Sequence, residues 1–158
     1  MIKVLFVCLG NICRSPTAHG VFDALLKREG LTDKVLVDSA GTAAWHIGKA
    51  PDARSQLAAK NRGVDLSYIA ARQVESRDFD VFDYVLAMDK SNFENLIELS
   101  GPASRNKIKL FLDYAKNSTA TEVPDPYYGG AKGFDTVLDL VEDACEGLLE
   151  DIRTNHVI

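Results

Sequence analysis

No stretch of this chain approaches the ~20 consecutive apolar residues that a membrane-spanning helix needs, and the apolar run near its N-terminus is too short for a secretory signal. Cysteine is scarce: three in 158 residues, with no paired framework. That excludes a disulfide-built scaffold and points to a reducing compartment. There is no Gly-x-Gly-x-x-Gly, no Gly-Lys-Ser/Thr and no Cys-x-x-Cys, so the common nucleotide loops and the thioredoxin-type redox motif are absent. Repeats and low-complexity segments are missing too, and the length suits one domain over residues 1–158. Positive charge is in deficit, 18 Lys and Arg against 23 Asp and Glu, for a net charge of −5. Such a chain has no broad field for a phosphate backbone, so neither nucleic acid nor membrane is an expected partner. The composition predicts a soluble, cytoplasmic protein.

What the sequence does have is concentrated near its start. An apolar run, Ile2 to Val7, leads directly into Cys8-Leu9-Gly10-Asn11-Ile12-Cys13-Arg14-Ser15-Pro16. A buried strand therefore ends in a cysteine, a short loop, an arginine, a hydroxyl and a proline able to open a helix, with Ser15 as N-cap. Loop amides and a helix N-terminus supply N–H donors for a phosphate, and Arg14 can grip two of its oxygens. Cys8 would lie beneath the phosphorus, where a thiolate is a nucleophile. A lone cysteine at a strand end is commonly core. Five intervening residues before an arginine, followed by Ser-Pro, favour the phosphate site. Asn11, where the loop bends sharply, tolerates a left-handed backbone and has a structural role.

Along the chain, strands alternate with helices. The pattern predicts strands at Ile2–Val7, Lys34–Val37, Tyr84–Met88 and Lys107–Phe111. Helices are predicted from Pro16 to Glu29, closed by Gly30, and from Pro51-Asp52 through Leu57 toward Arg62 and Gly63. Two more are predicted, one capped by Asp89 and running to Gly101 and one from Lys132 to Arg153. Cys145 falls in the apolar stripe of the last helix and reads as core. Alternation of this kind builds a parallel sheet covered on both faces, with ligands at the carboxyl ends of its strands. The two long irregular stretches, 41–50 and 114–131, are of a length that usually carries function.

The second stretch contains Pro124-Asp125-Pro126-Tyr127-Tyr128-Gly129-Gly130. Two prolines fix the backbone around Asp125 and aim its carboxyl. Alone this is a turn former; beside a nucleophile loop it is a candidate proton donor for a leaving oxygen.

With Asp38-Ser39-Ala40-Gly41 and Trp45 between them, these two motifs resemble the low-molecular-weight protein tyrosine phosphatases over essentially the whole chain. The resemblance implies an α/β, flavodoxin-like three-layer fold with a four-stranded parallel sheet and helices on both faces. It implies hydrolysis of phosphotyrosine and aryl phosphates through a phosphocysteine on Cys8. Arg14 would then be the phosphate clamp and Asp125 the general acid, with no metal or cofactor and with inorganic phosphate as product. The loop from Leu9 to Cys13 and Ser15 would hold the phosphate. Leu9, Ile12, Trp45, Tyr127 and Tyr128 would wall an apolar slot suited to an aromatic ring. Ser39 would be a hydrogen-bond partner supporting the loop with Asn11 and Ser15; the residues alone equally allow a turn. Cys13 would be the resolving thiol of a redox pair with Cys8, the alternative being that it packs under the loop. A monomer or weak homodimer is expected. Several family members carry Glu where His19 stands and His near Ile69, and both are missing here. His19 reads as a surface or packing residue, His46 and His156 as solvent-facing.

Three other functions compete. A thioredoxin-coupled arsenate reductase of this fold needs a further cysteine pair after the third strand, which is absent. A protein-arginine phosphatase tends to carry Thr where Ile12 stands. A non-catalytic phosphate-binding module has no need of both Cys8 and Asp125.

Overall fold

The computed structural model describes residues 1–158. Its centre is a four-stranded, all-parallel sheet in the order β2-β1-β3-β4, made of β1 (Ile2–Cys8), β2 (Val35–Gly41), β3 (Tyr84–Ala87) and β4 (Ile108–Leu110). The helices are α1 (Arg14–Arg28), α2 (Ala53–Lys60), α3 (Asp78–Val81), α4 (Lys90–Leu99) and α5 (Ala131–Asn155). Side chains of a strand alternate between faces. Val4, Phe6 and Cys8 accordingly pack into one apolar cluster with residues of α1 and α5, and Leu5 and Val7 into a second with residues of α3 and α4. A strand buried on both faces has to be apolar throughout, which is why β1 shows no polar alternation. Phe6 anchors the larger cluster, meeting the rings of Phe22 and Phe111 edge-on at 5.9 and 5.0 Å. Cys145 is buried in α5 as core, and burial raises its thiol well above the ordinary value. No helix is long and apolar enough to cross a membrane.

The order 2-1-3-4 puts the topological switch point between β1 and β3, where a crevice opens beyond the strand ends. Cys8 is the last residue of β1 and lies at that crevice.

Several boundaries differ from the sequence reading, each for a physical reason. Helix α1 begins at Arg14, two residues before Pro16, with Cys13 at the cap position and no side-chain capping bond; Ser15 is inside the helix, and its hydroxyl turns toward Cys8 instead. Strand β2 does not end at Val37. Asp38 to Gly41 pair with Leu5 to Cys8, so the ladder along β1 overrides the turn propensity of Asp-Ser and Gly. Helix α2 starts after Asp52, which accepts from Arg54 N, and stops at Lys60, short of Arg62. Gly30, at φ +68°, closes α1 as expected. The four-residue α3 and the 3-10 turns at Pro102–Lys107 and Phe111–Tyr114 carry no strong periodicity and were not anticipated.

Candidate active site

From Leu9 to Ser15 the backbone folds into a tight loop held from outside. Its carbonyls and Asn11 take the bonds: Thr42 N donates to Cys8 O at 2.9 Å, Ala43 N to Leu9 O at 2.9 Å and Asp52 N to Ile12 O at 2.8 Å. Arg72 N donates to Asn11 Oδ1 at 3.1 Å. None of the N–H groups from Leu9 to Ser15 donates to any acceptor within the chain. Seven such donors around the start of a helix form an anion cradle. Asn11 adopts φ +55°, the left-handed conformation that the bend requires. Gly41 lets the end of β2 approach the loop, because a Cβ there would sit 2.8 Å from Leu9 O.

Beneath the cradle, Cys8 Sγ lies 3.0 Å from Ser15 Oγ, and Asn11 Nδ2 donates to the same hydroxyl at 2.7 Å. The hydroxyl accepts from Asn11, and its own proton has two acceptors in reach, the sulfur at 3.0 Å and Ala40 O at 3.4 Å. Within α1, Thr17 bonds back to the preceding turn, donating its hydroxyl to Cys13 O at 2.7 Å.

Arg14 is buried, and its Nη1 donates to Asp89 Oδ2 at 2.6 Å and to Val123 O at 3.1 Å. Nε has no partner, and Nη2 only approaches Asp125 Oδ2, at 3.8 Å. Burial works against the guanidinium charge. Cys8, Asp89 and Asp125 outweigh it and hold Arg14 above its ordinary value. Asp125 is tied through its other oxygen, which accepts from Tyr127 N at 3.0 Å, leaving Oδ2 to face the site.

Cys8, Leu9, Gly10, Ile12, Cys13 and Arg14 form the floor and one side of a cavity of about 250 Å³. Trp45, Asp125, Tyr127 and Tyr128 complete its walls, together with His46. Trp45 and Tyr128 are largely exposed, so the slot is open at its rim. Asn11 and Ser15 support the floor from below and do not line the cavity. A larger groove of about 870 Å³ on α1 and α5 is lined mainly by charged side chains and holds no accessible nucleophile.

Ser39, His46 and His156 stand differently from expectation, and His19 takes the packing position, one of the two expected for it. Ser39 does not contact the loop directly; its hydroxyl meets His19 Nδ1 at 2.9 Å. His19 is buried on α1, edge-on to Tyr68, and burial lowers it below its ordinary value while Asp38 and Asp23 pull the other way. His46 is half-buried, its ring packed where a Cβ on Gly10 would be, and His156 is half-buried too, 3.2 Å from Tyr84 OH. Asp89, which the sequence marks only as a helix cap, is the main partner of Arg14. Cys13 is buried, and that burial pushes its thiol up to about 12 despite the nearby Ser55 hydroxyl.

The sequence profile of a family described as low molecular weight phosphotyrosine protein phosphatase matches residues 3–157. The chain is 44% identical over 153 residues to low molecular weight protein-tyrosine-phosphatase YfkJ of Bacillus subtilis, covering 97% of each. A crystal structure of a protein tyrosine phosphatase from Entamoeba histolytica with Hepes in the active site superposes at a TM-score of 0.95. It is 44% identical, with 98% of each chain covered. A structure described as Drosophila arginine phosphatase superposes at 0.90, with 34% identity over 98% of this chain and 99% of that one. Sequence and fold thus agree along the whole length, and the chain belongs to the low molecular weight phosphotyrosine protein phosphatase family, a family of hydrolases.

Proposed function

We propose that the protein hydrolyses phosphotyrosine in proteins, and aryl phosphates generally, through a phosphocysteine on Cys8. The observation that carries this reading is the row of unpartnered backbone N–H groups from Leu9 to Ser15, closed around Cys8 Sγ. Three equatorial phosphoryl oxygens fit those donors and the free Nε–Nη2 edge of Arg14. Cys8 Sγ attacks phosphorus as the P–O bond to the phenol breaks, and Asp125 gives its proton from Oδ2 to the leaving oxygen. Asp125, now a carboxylate, takes a proton from the water that attacks the phosphocysteine. The S–P bond breaks, inorganic phosphate leaves, and the thiolate and the carboxylic acid are restored. Leu9, Ile12, Trp45, Tyr127 and Tyr128 flank the ring of the substrate, and the reach down to Cys8 favours phosphotyrosine over the shorter phosphoserine. Cys13 is assigned as the resolving thiol should Cys8 be oxidised.

Phosphoarginine is the competing substrate, since a protein of similar structure is described as an arginine phosphatase. Ile12 offers no polar contact to a guanidinium, and this favours the aryl substrate. The test compares phosphotyrosine, phosphoserine and phosphoarginine peptides in the presence of a chelator. The expected result is a preference for phosphotyrosine in kcat/KM of about 100-fold or more. Equal or better turnover of phosphoarginine would reverse the assignment.

A further inference from the structure

Asp125 lies on a segment with little regular structure, and the two sides of that segment are held very differently. On the near side Val123 is pinned, its N–H donating to Met88 O at 2.8 Å and its carbonyl accepting from Arg14. On the far side, the backbone bonds before α5 are all local: Tyr127 N to Asp125 Oδ1, Gly129 N to Pro126 O and Gly133 N to Gly130 O. None of them ties residues 125–130 to the loop that carries Cys8.

Arg54 on α2 makes that tie with its side chain. Its guanidinium lies over two rings, 4.8 Å from the centroid of Phe134 in the first turn of α5 and 5.4 Å from that of Tyr127. Its plane is set by Asp52, which accepts from Nε at 3.0 Å and from Nη2 at 3.0 Å, a two-point contact. Asp52 is in turn fixed at both ends. Its carboxylate caps α2 by accepting from Arg54 N at 2.8 Å, and its N–H donates to Ile12 O at 2.8 Å. These hydrogen bonds hold the Asp52 carboxyl below its usual range against the effect of partial burial. A continuous set of contacts therefore runs from Ile12 in the nucleophile loop, through Asp52 and Arg54, to Tyr127, two residues from Asp125.

We propose that Arg54 is a positioning residue that holds the acid loop in register with the nucleophile loop by gripping Tyr127 and Phe134 from a base anchored at Ile12. It touches neither the phosphate nor the reacting atoms, and the proposal rests on Asp125 as proton donor. A displaced Asp125 fails where proton donation matters most, on aryl phosphates whose phenols are poor leaving groups. A shift of a catalytic group by even 1 Å can cost roughly 100-fold in rate.

The test is the dependence of kcat/KM on leaving-group pKa over a series of substituted phenyl phosphates, for wild type, Arg54→Met, Arg54→Lys and Asp125→Ala. Wild type should give a shallow dependence and Asp125→Ala a steep one. Arg54→Met should fall between them, losing roughly 10-fold on unactivated phenyl phosphate and less than about 2-fold on the best leaving group, with vanadate inhibition unchanged. Arg54→Lys keeps the charge without the planar fork and should resemble Arg54→Met. In an Asp125→Ala background, Arg54→Met should add little. If Asp125→Ala is steep while Arg54→Met follows the wild-type slope, or loses activity uniformly together with vanadate affinity, the positioning role is overturned alone. If Asp125→Ala keeps the wild-type slope, the proton-donor reading falls and this proposal falls with it.

Discussion

Asp89 holds Arg14 with one carboxylate oxygen and caps a helix with the other: Oδ2 accepts from Arg14 Nη1 at 2.6 Å while Oδ1 accepts from Asn92 N at 2.7 Å. The cap fixes the carboxylate on the rigid N-terminus of α4, so the guanidinium of a loop residue is referenced to the other side of the crevice. Arg14 Nη1 also reaches Val123 O, which places the segment before Asp125 on the same anchor. One buried guanidinium thus joins the start of α1, the start of α4 and the segment before Asp125, and still keeps a free edge toward the cavity.

Asp89→Asn separates the two roles. Asparagine caps as well as aspartate, but with its oxygen on Asn92 N it turns an amide toward Arg14 and leaves the guanidinium without its anion. Stability should fall by roughly 1–3 kcal/mol, because the cap is kept while the buried guanidinium loses its counter-charge, and kcat/KM on an aryl phosphate should fall roughly 10- to 100-fold. Asp89→Ala should lose in addition about 1 kcal/mol of stability from the missing cap. Urea unfolding beside steady-state kinetics checks this, and full activity in Asp89→Asn would remove Asp89 from the site.

Cys8→Ser and Asp125→Ala distinguish nucleophile from proton donor. Cys8→Ser should abolish turnover and still bind phosphate or vanadate, because the row of N–H donors and Arg14 are untouched. Asp125→Ala should lower kcat by roughly 10²–10⁴ on poor leaving groups and by much less on good ones. Turnover by Cys8→Ser within tenfold of wild type would exclude Cys8 as nucleophile.

The candidate site was legible because much of it is local. The seven residues from Cys8 to Arg14 mark the loop by their own types and spacing, and two prolines fix the backbone around Asp125. Sequence reading missed the contacts whose partners are far apart along the chain. Asp89 signals a cap through Asn92, three residues on, whereas Arg14 is 75 residues away. His46 enters the cavity wall only because Gly10 leaves room for its ring. Ser39 looked like a turn residue until the β1–β2 ladder carried the strand through it and presented its hydroxyl to His19. Tertiary pairing overrode local propensity there, and only the fold supplies that information.

His19 makes stability depend on pH. It is buried and hydrogen-bonded to Ser39, and its folded value lies below the ordinary 6.5, with the Asp38 and Asp23 carboxylates acting against the shift and the Tyr68 ring against its edge. Below pH 6.5 the unfolded chain takes up a proton at this residue more readily than the folded one, so stability falls as pH falls. The contribution is complete above 6.5. One residue binds at most one proton, so the slope from His19 alone cannot exceed about 1.4 kcal/mol per pH unit. Urea midpoints at pH 5, 6 and 7 should decline toward acid in wild type, and His19→Gln should flatten that decline. Parallel declines in the two proteins would show that other groups carry it.

Cys13 sets the kinetics of any redox protection of Cys8. Peroxide takes the Cys8 thiolate to a sulfenic acid and releases hydroxide; a Cys13 thiolate then attacks that sulfur, forming the disulfide and expelling a second hydroxide. Burial holds the Cys13 thiol up at about 12, so near pH 7 very little of it is ionised and the second step is slow. Disulfide formation should therefore accelerate roughly tenfold per pH unit between pH 7 and 9, and further oxidation of Cys8 should compete increasingly well toward neutral pH. Mass spectrometry of the Cys8 peptide after peroxide, with activity recovered by a dithiol reductant, measures both branches in wild type and in Cys13→Ser. Equal recovery in the two proteins with no Cys8–Cys13 link at any pH would leave Cys13 as a packing residue, because a thiol so strongly disfavoured from ionising then never reaches the sulfenic acid in time.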